Sequence, residues 1–264
     1  MMLSEVQKRQ FIEQGFVHVP GLLSPECVAA TKAALCAGLG LNEDDPATWE
    51  GKPAVVDDLS LIAATVPARS DTFEAVVEQL VGPDFLRGIC YSPFLEWRGK
   101  VPVMTKGYIP VLTYPSAGPT VFVTPSDEAF HIDGGESIRA WPGVNFLAVM
   151  AYLSDVEPHG GATVVYPGSH RKVFEAWLAT DCSGAPRPPK IDYGQPLPVA
   201  AKAGDAVFMH YLLVHAGSAN RTSRIRFGIN TAVMPHPARP YCPKDGSPTL
   251  DWTPLDHTLR RDTL

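Results

Sequence analysis

Between about Arg87 and Val233 the chain is a succession of short segments rich in β-branched and aromatic residues, each cut off by proline or glycine. They read "GICYSPFLEW", "VPVMTKGYIPVLTYP", "PTVFVTP", "NFLAVMAYLSDV", "GGATVVYPGSH", "GDAVFMHYLLVHAG" and "RIRFGINTAV". Many short strands separated by turn signals define an all-β sandwich or barrel. The longest apolar run, Phe146 to Leu153, is too short to span a bilayer as a helix.

Ahead of this region the pattern is helical. "LSEVQKRQFIEQGFVHVPGLLSPECVAATKAAL" predicts a short helix, a strand at Phe16 to Val19, and a second helix capped by Ser24 with Pro25 at its first position. Asp71 to Val81 carries Phe73, Val76, Val77 and Leu80 as a helical stripe. Two irregular stretches, Ala176 to Pro198 and the tail after Met234, are rich in proline and polar residues and have the character of loops, a lid or binding loop among the possible uses.

With 264 residues, 45% hydrophobic and 19% charged, the chain has material for one large core or two small ones. A net charge of -6 without any Lys/Arg run argues against nucleic acid as a partner. The five cysteines, Cys27, Cys36, Cys90, Cys182 and Cys242, are scattered without a Cys-x-x-Cys pair, as expected for reduced thiols in a cytoplasm. "MMLSEVQKRQ" becomes charged before any apolar run develops, which does not fit a secretory signal. No membrane partner is expected.

The chemistry is concentrated in "FHIDGG". On a strand, His131 and Asp133 point to one face while Ile132 points away, so the pair can converge on a metal that needs a third ligand. His159 lies in the turn "EPHGG" and His170 follows a Pro-Gly turn, which marks both as exposed loop residues. His236 and His257 sit in the proline-rich tail, and His18 lies among valines with no role assigned. His210 and His215 share the apolar run "FMHYLLVHAG"; five residues apart on a regular strand, they face opposite sides. The choice falls on His215, at the end of the run, and a bulge would reverse it. A hairpin turning between Asn220 and Arg221 then sets Arg226 across from His215 on a buried face, and a buried arginine needs a carboxylate. Two histidines and a carboxylate on one face are the ligand pattern of non-haem Fe(II) oxygenases. Zinc and manganese accept the same donors, which keeps a cupin-like metal-binding module or a non-redox metalloenzyme as the alternative; Arg226 discriminates, since such a module has no use for a carboxylate clamp.

"FHIDGG", "GGATVVYPGSHR" and "HAGSANRTSRIRFGIN" resemble the motifs of the phytanoyl-CoA dioxygenase family of Fe(II)/2-oxoglutarate oxygenases, and "GFVHVPGLLSPE" resembles that family's start, in order from about residue 10 to 233. The resemblance implies a mainly β double-stranded β-helix (jelly roll, cupin-like) with flanking helices. It also implies one oxygenase domain over 1–264, with a helical framework to about 86, a β core over about 87–234 and a tail over 235–264. His131, Asp133 and His215 would be iron ligands, and Arg226 would bind the far carboxylate of 2-oxoglutarate; the spacing of Asn220 and Thr222 fits as well. The implied activity is oxidation, above all hydroxylation, of a C–H bond in a small-molecule substrate, using Fe(II), 2-oxoglutarate and dioxygen. Halogenases of the family replace the carboxylate by a small residue, so Asp133 favours oxidation without halogen transfer. One departure is Gly217, where family members often carry a serine near the cosubstrate, with Ser218 next. Trp141, Tyr114, Phe122 and Arg139 flank the metal triplet in sequence as candidate pocket residues, with core packing favoured for the aromatic ones.

Overall fold

The computed structural model describes residues 2–56, 71–81, 90–91, 108–133, 147–180 and 187–234. Helix α1, Glu5–Gln14, opens with a reciprocal cap in which Ser4 Oγ accepts from Gln7 N–H while Gln7 Oε1 accepts from Ser4 N–H. It ends at Gly15, whose φ of 79° lies in the left-handed region. A Cβ there would also sit 2.5 Å from His170 Nδ1, so glycine is required twice over. Strand β1, Phe16–Val19, leads to α2, Pro25–Leu39, where Ser24 caps and proline takes the first turn. In α3, Asp71–Val81, the stripe Phe73, Val76, Val77 and Leu80 is buried as its spacing predicts.

The remaining elements are β2 (Cys90–Tyr91), β3 (Tyr108–Thr113), β4 (Leu147–Tyr152), β5 (Thr163–Val165), α4 (Ser169–Thr180), β6 (Leu197–Val199), β7 (Ala206–His210), β8 (His215–Gly217) and β9 (Arg226–Met234). One sheet runs β1-β7-β4-β9-β2, with β3 pairing the first part of β9 and β2 its end. A smaller sheet runs β6-β5-β8 and is continued by a bridge from His215 to His131. All these strand pairs are antiparallel.

Alternate side chains of the large sheet belong to two cores. Ala148, Tyr152, Val207, Met209 and Phe16 pack toward Val165 and Val199 of the small sheet. Val149, Phe208, Val17, Phe227 and Ile229 pack among Phe11, Leu35, Val76 and Leu80 of the helices. A sheet covered on both faces needs apolar residues at nearly every position, which explains the unbroken "LAVMAY" of β4. Between the sheets, Tyr152 Oη donates to Thr163 Oγ1 at 2.7 Å, satisfying a hydroxyl that is fully buried. These two facing sheets with helices outside are the double-stranded β-helix.

Two expectations are corrected. "FMHYLLVHAG" is not one strand: β7 stops at His210, a turn follows, and β8 begins at His215 in the other sheet. Likewise, Ala176–Thr180 is the end of α4 rather than loop; 187–196 is irregular and 181–186 lies outside the described residues. Trp141, Arg139, His236, His257 and the tail also lie outside them. Among the described residues, no helix is long and apolar enough to cross a membrane.

His170, expected in an exposed loop, is buried in the first turn of α4. Its Nε2 lies 3.0 Å from the Ile12 carbonyl, an acceptor, so Nε2 carries the proton. Burial, aided by the neighbouring Arg171 charge, lowers its pKa to about 4. As pH falls below about 6.5 the unfolded chain gains a proton that the native state refuses until about pH 4. Native stability should therefore fall by about 3 kcal/mol from this group across that window. His170→Gln keeps a donor toward Ile12 and removes the titration, so its urea midpoint should decline less between pH 7 and pH 5 than that of wild type; parallel declines refute the assignment.

Candidate metal centre

His131 and His215 face each other across an antiparallel bridge. His131 N–H donates to His215 O and His215 N–H to His131 O, both at 3.0 Å, which brings the rings to 4.4 Å between centroids. Ile132 turns away and is buried in the helix-side core, as strand alternation requires. Asp133 returns to the face of His131, and its N–H donates to Tyr211 O at 3.0 Å. Its two carboxylate oxygens then lie 3.9 Å from His131 Nε2 and 3.6 Å from His215 Nε2. One ligand atom from each of the three residues falls within 4.8 Å of the others.

Each histidine is oriented by a carbonyl two residues before it. His131 Nδ1 lies 3.1 Å from Ala129 O and His215 Nδ1 lies 2.9 Å from Leu213 O. A carbonyl only accepts, so the proton is held on Nδ1 and the Nε2 lone pair is left for a metal. Burial lowers the pKa of His215, against the opposing pull of Asp133 and with the help of His131, which keeps the lone pair available at neutral pH. The His131 side chain is 47% exposed and that of His215 is 9% exposed, so the trio opens on the His131 side. Three donors on one side with the other side open fit a divalent metal that retains exchangeable positions.

Arg226 is not where the hairpin expectation put it. β8 pairs with β5, through Val165 with His215, whereas β9 pairs with β3 and β4, and Arg226 stands opposite Thr113. The two strands belong to different sheets because the chain between them crosses from one layer to the other instead of turning back on itself. Arg226 nevertheless reaches the space between the sheets. It is 5% exposed, its Nε and Nη2 donate to Thr113 Oγ1 at 3.0 and 2.6 Å, and Nη1 lies 3.7 Å from Met150 Sδ. Gly228 makes room for it, since a Cβ there would stand 3.3 Å from Nη1 and 3.0 Å from Met150 Sδ. Burial lowers the guanidinium pKa. Among the described residues no carboxylate forms an ion pair with it.

Thr113 carries no signal in the sequence, whereas Asn220 stands at the family-like spacing. Asn220 Nδ2 donates to Thr113 O and Arg224 O at 2.9 and 2.7 Å, while its Oδ1 accepts from Thr222 N–H and Oγ1. It thereby ties the end of β3, on which Arg226 rests, and the chain just before β9 to the loop after β8. At Gly217 a Cβ would meet nothing within 4 Å, and Ser218 is buried with its N–H on Ala162 O. His210 lies outside the trio, beside Phe11 and His170. His18 binds Asp205 at 2.8 Å and His159 lies 3.2 Å from Glu157. Tyr114 donates to Pro53 O and Phe122 packs on the helix-side core, as packing residues do. A cavity of about 300 Å³ reaches Arg226 past Lys202, Arg224 and Thr222. A groove of about 710 Å³ runs between Phe130, Tyr166 and Val214 and the segment 187–194.

A family model described as phytanoyl-CoA dioxygenase matches residues 11–228. No curated protein matches the chain. Among solved structures, the epimerase SnoN in complex with Fe3+, alpha-ketoglutarate and nogalamycin RO is 22% identical, covering 88% of this chain and 83% of that one, with a TM-score of 0.57. The non-heme alpha-ketoglutarate-dependent carbocyclase SnoK from nogalamycin biosynthesis is 21% identical, covering 88% and 84%, with a TM-score of 0.54. EvdO2 from Micromonospora carbonacea var. aurantiaca, complexed with 2-oxoglutarate, is 15% identical, covering 93% and 96%, with a TM-score of 0.58. At such identities these structures share the fold, and the family rests on the motif order and the model match: the chain belongs to the phytanoyl-CoA dioxygenase family and is a 2-oxoglutarate-dependent non-haem iron enzyme.

Proposed function

We propose that the enzyme oxidises a C–H bond of a small-molecule metabolite, hydroxylating it, with release of succinate and carbon dioxide. In this reading His131, Asp133 and His215 hold Fe(II) and Arg226 holds the far carboxylate of 2-oxoglutarate. The observation that carries it is Arg226: a buried guanidinium beside Thr113, with no ion-pair partner among the described residues, is costly unless an anion arrives. Thr113 takes Nε and one hydrogen of Nη2, so each terminal nitrogen keeps a hydrogen for a carboxylate fork. A metal-binding module without cosubstrate turnover has no use for such a clamp.

When bound, Fe(II), 2-oxoglutarate and dioxygen supply the oxidising power, with decarboxylation of the cosubstrate coupled to removal of hydrogen from the substrate. The protein's part is orientation and exclusion. The Nδ1 bonds to Ala129 O and Leu213 O fix both imidazole planes, the buried side of the trio at His215 excludes water, and the exposed side at His131 admits substrate. Asp133 occupies the third ligand position, which leaves no vacant protein position for halide. SnoN and SnoK act in nogalamycin biosynthesis as epimerase and carbocyclase, which supports a natural-product metabolite as substrate here. We place the enzyme in the cytoplasm, where thiols such as those of Cys27 and Cys36 stay reduced.

Succinate should accumulate from 2-oxoglutarate in air with added Fe(II), and its absence with every metabolite offered would favour the module reading. His131→Ala, Asp133→Ala and His215→Ala should each lose turnover and bind Fe(II) much more weakly; undiminished iron affinity in His215→Ala refutes the assignment. Arg226→Ala should keep Fe(II) binding but lose about 2–5 kcal/mol of cosubstrate binding, the range for truncating one partner of a buried charge pair. Arg226→Lys should regain part of it, because an ammonium supplies charge without the fork. Anaerobic titration of 2-oxoglutarate, followed by its charge-transfer band with Fe(II), measures both. Mass spectrometry of product formed in abundant chloride should show oxygenation without chlorine.

A further inference from the structure

The turn between β7 and β8 holds two of the three assigned ligands, and it is itself held by side chains that touch no metal. Its residues, Tyr211 to Val214, are all buried. Tyr211 O accepts Asp133 N–H at 3.0 Å, and Leu213 O lies 2.9 Å from His215 Nδ1. The position of Asp133 and the plane of His215 therefore follow from where these two carbonyls point.

The carbonyls point as they do because the turn's own N–H groups are tied down. Leu212 N–H donates to His210 Nδ1 at 3.1 Å, Leu213 N–H to His210 O at 2.9 Å, and Val214 N–H to Ser169 Oγ at 2.8 Å. Tyr166 N–H donates to Val214 O at 2.9 Å, so the segment from the end of β5 to the start of α4 grips the turn from both sides of one residue. The His210 ring is lodged against Tyr211 at 4.7 Å, His170 at 5.0 Å and Phe11 at 6.4 Å. Ser169 is fully buried. Removing either acceptor leaves a buried N–H without its bond, and the turn must shift to find another.

We propose that His210 and Ser169 are positioning residues of the metal centre, acting through the Tyr211–Val214 turn on Asp133 and His215. The inference rests on the reading that those two residues bind the metal. It gives a use to the histidine that strand parity rejected as a ligand, and to the serine of "PGSH". His210→Leu removes the acceptor, whereas His210→Asn places an amide oxygen near the position of Nδ1. Ser169→Ala removes only the hydroxyl.

The test is titration of the metal-free protein with Co(II), read by calorimetry and by the visible ligand-field bands of the saturated protein, alongside thermal melting. His210→Leu and Ser169→Ala should bind Co(II) roughly 10- to 100-fold more weakly, the range for partners that orient ligands, with altered bands at saturation. His210→Asn should lie close to wild type. A lowered Tm with wild-type affinity and bands in His210→Leu and Ser169→Ala would reduce both residues to structural roles and overturn the inference, as would equal weakening in His210→Asn and His210→Leu. If His210→Leu does not fold, Ser169→Ala decides by the same readout. His215→Ala binding Co(II) like wild type would instead overturn the metal assignment beneath it.

Discussion

Two backbone hydrogen bonds between His131 and His215, each 3.0 Å long, are the contact on which the site depends. They join the segment before the metal triplet to the small sheet and put both rings on one face of it. Alternation then brings Asp133 back to that face and sends Ile132 into the helix-side core. A slip of one residue in this bridge would exchange the roles of ligand and core residue, so the apolar packing of Ile132 and the ligand geometry enforce the same register.

The second constraint is charge buried between two sheets. Arg226 stands at the start of β9 with Thr113 and Met150 beside its nitrogens among the described residues, and Gly228 keeps the space clear. An isolated buried cation is tolerated where a ligand completes it, and the surrounding ties are correspondingly complete. Tyr152 spans to Thr163, and Asn220 binds both Thr113 and the loop before β9. In the proposed reading these ties order the Arg226 site before a dicarboxylate arrives, which would lower the entropy lost on binding.

Local signals in the sequence were read at nearly residue precision. Ser24 and Pro25 start α2, and the Phe73–Leu80 stripe is the buried side of α3. The pair His131 and Asp133 needed only strand alternation. His215 joins the trio although the run it shares with His210 is two strands and a turn, to which single-strand parity does not apply. Arg226 likewise stands opposite Thr113 of β3 and not opposite His215, because β8 and β9 form no hairpin. Its eleven-residue spacing from His215 is instead spanned by a chain that crosses from one sheet to the other. His170 follows a Pro-Gly turn that the sequence marks as exposed, and the turn is buried because it packs under α1.

What the sequence by itself determined is whatever a few neighbouring residues decide: where helices start and stop, which residues of a strand share a face, and which residue types a metal could use. Periodicity and capping are local properties of the backbone, and they leave the same trace in any fold. The tertiary structure alone decided that β8 pairs with β5, that His210 and Ser169 brace the turn holding Asp133 and His215, and that Thr113 receives Arg226. Apart from the bond of His210 to Leu212, two residues on, those contacts join residues dozens of positions apart, where the choice among partners is made by burial of the whole sheet on both faces and not by any pattern along the chain.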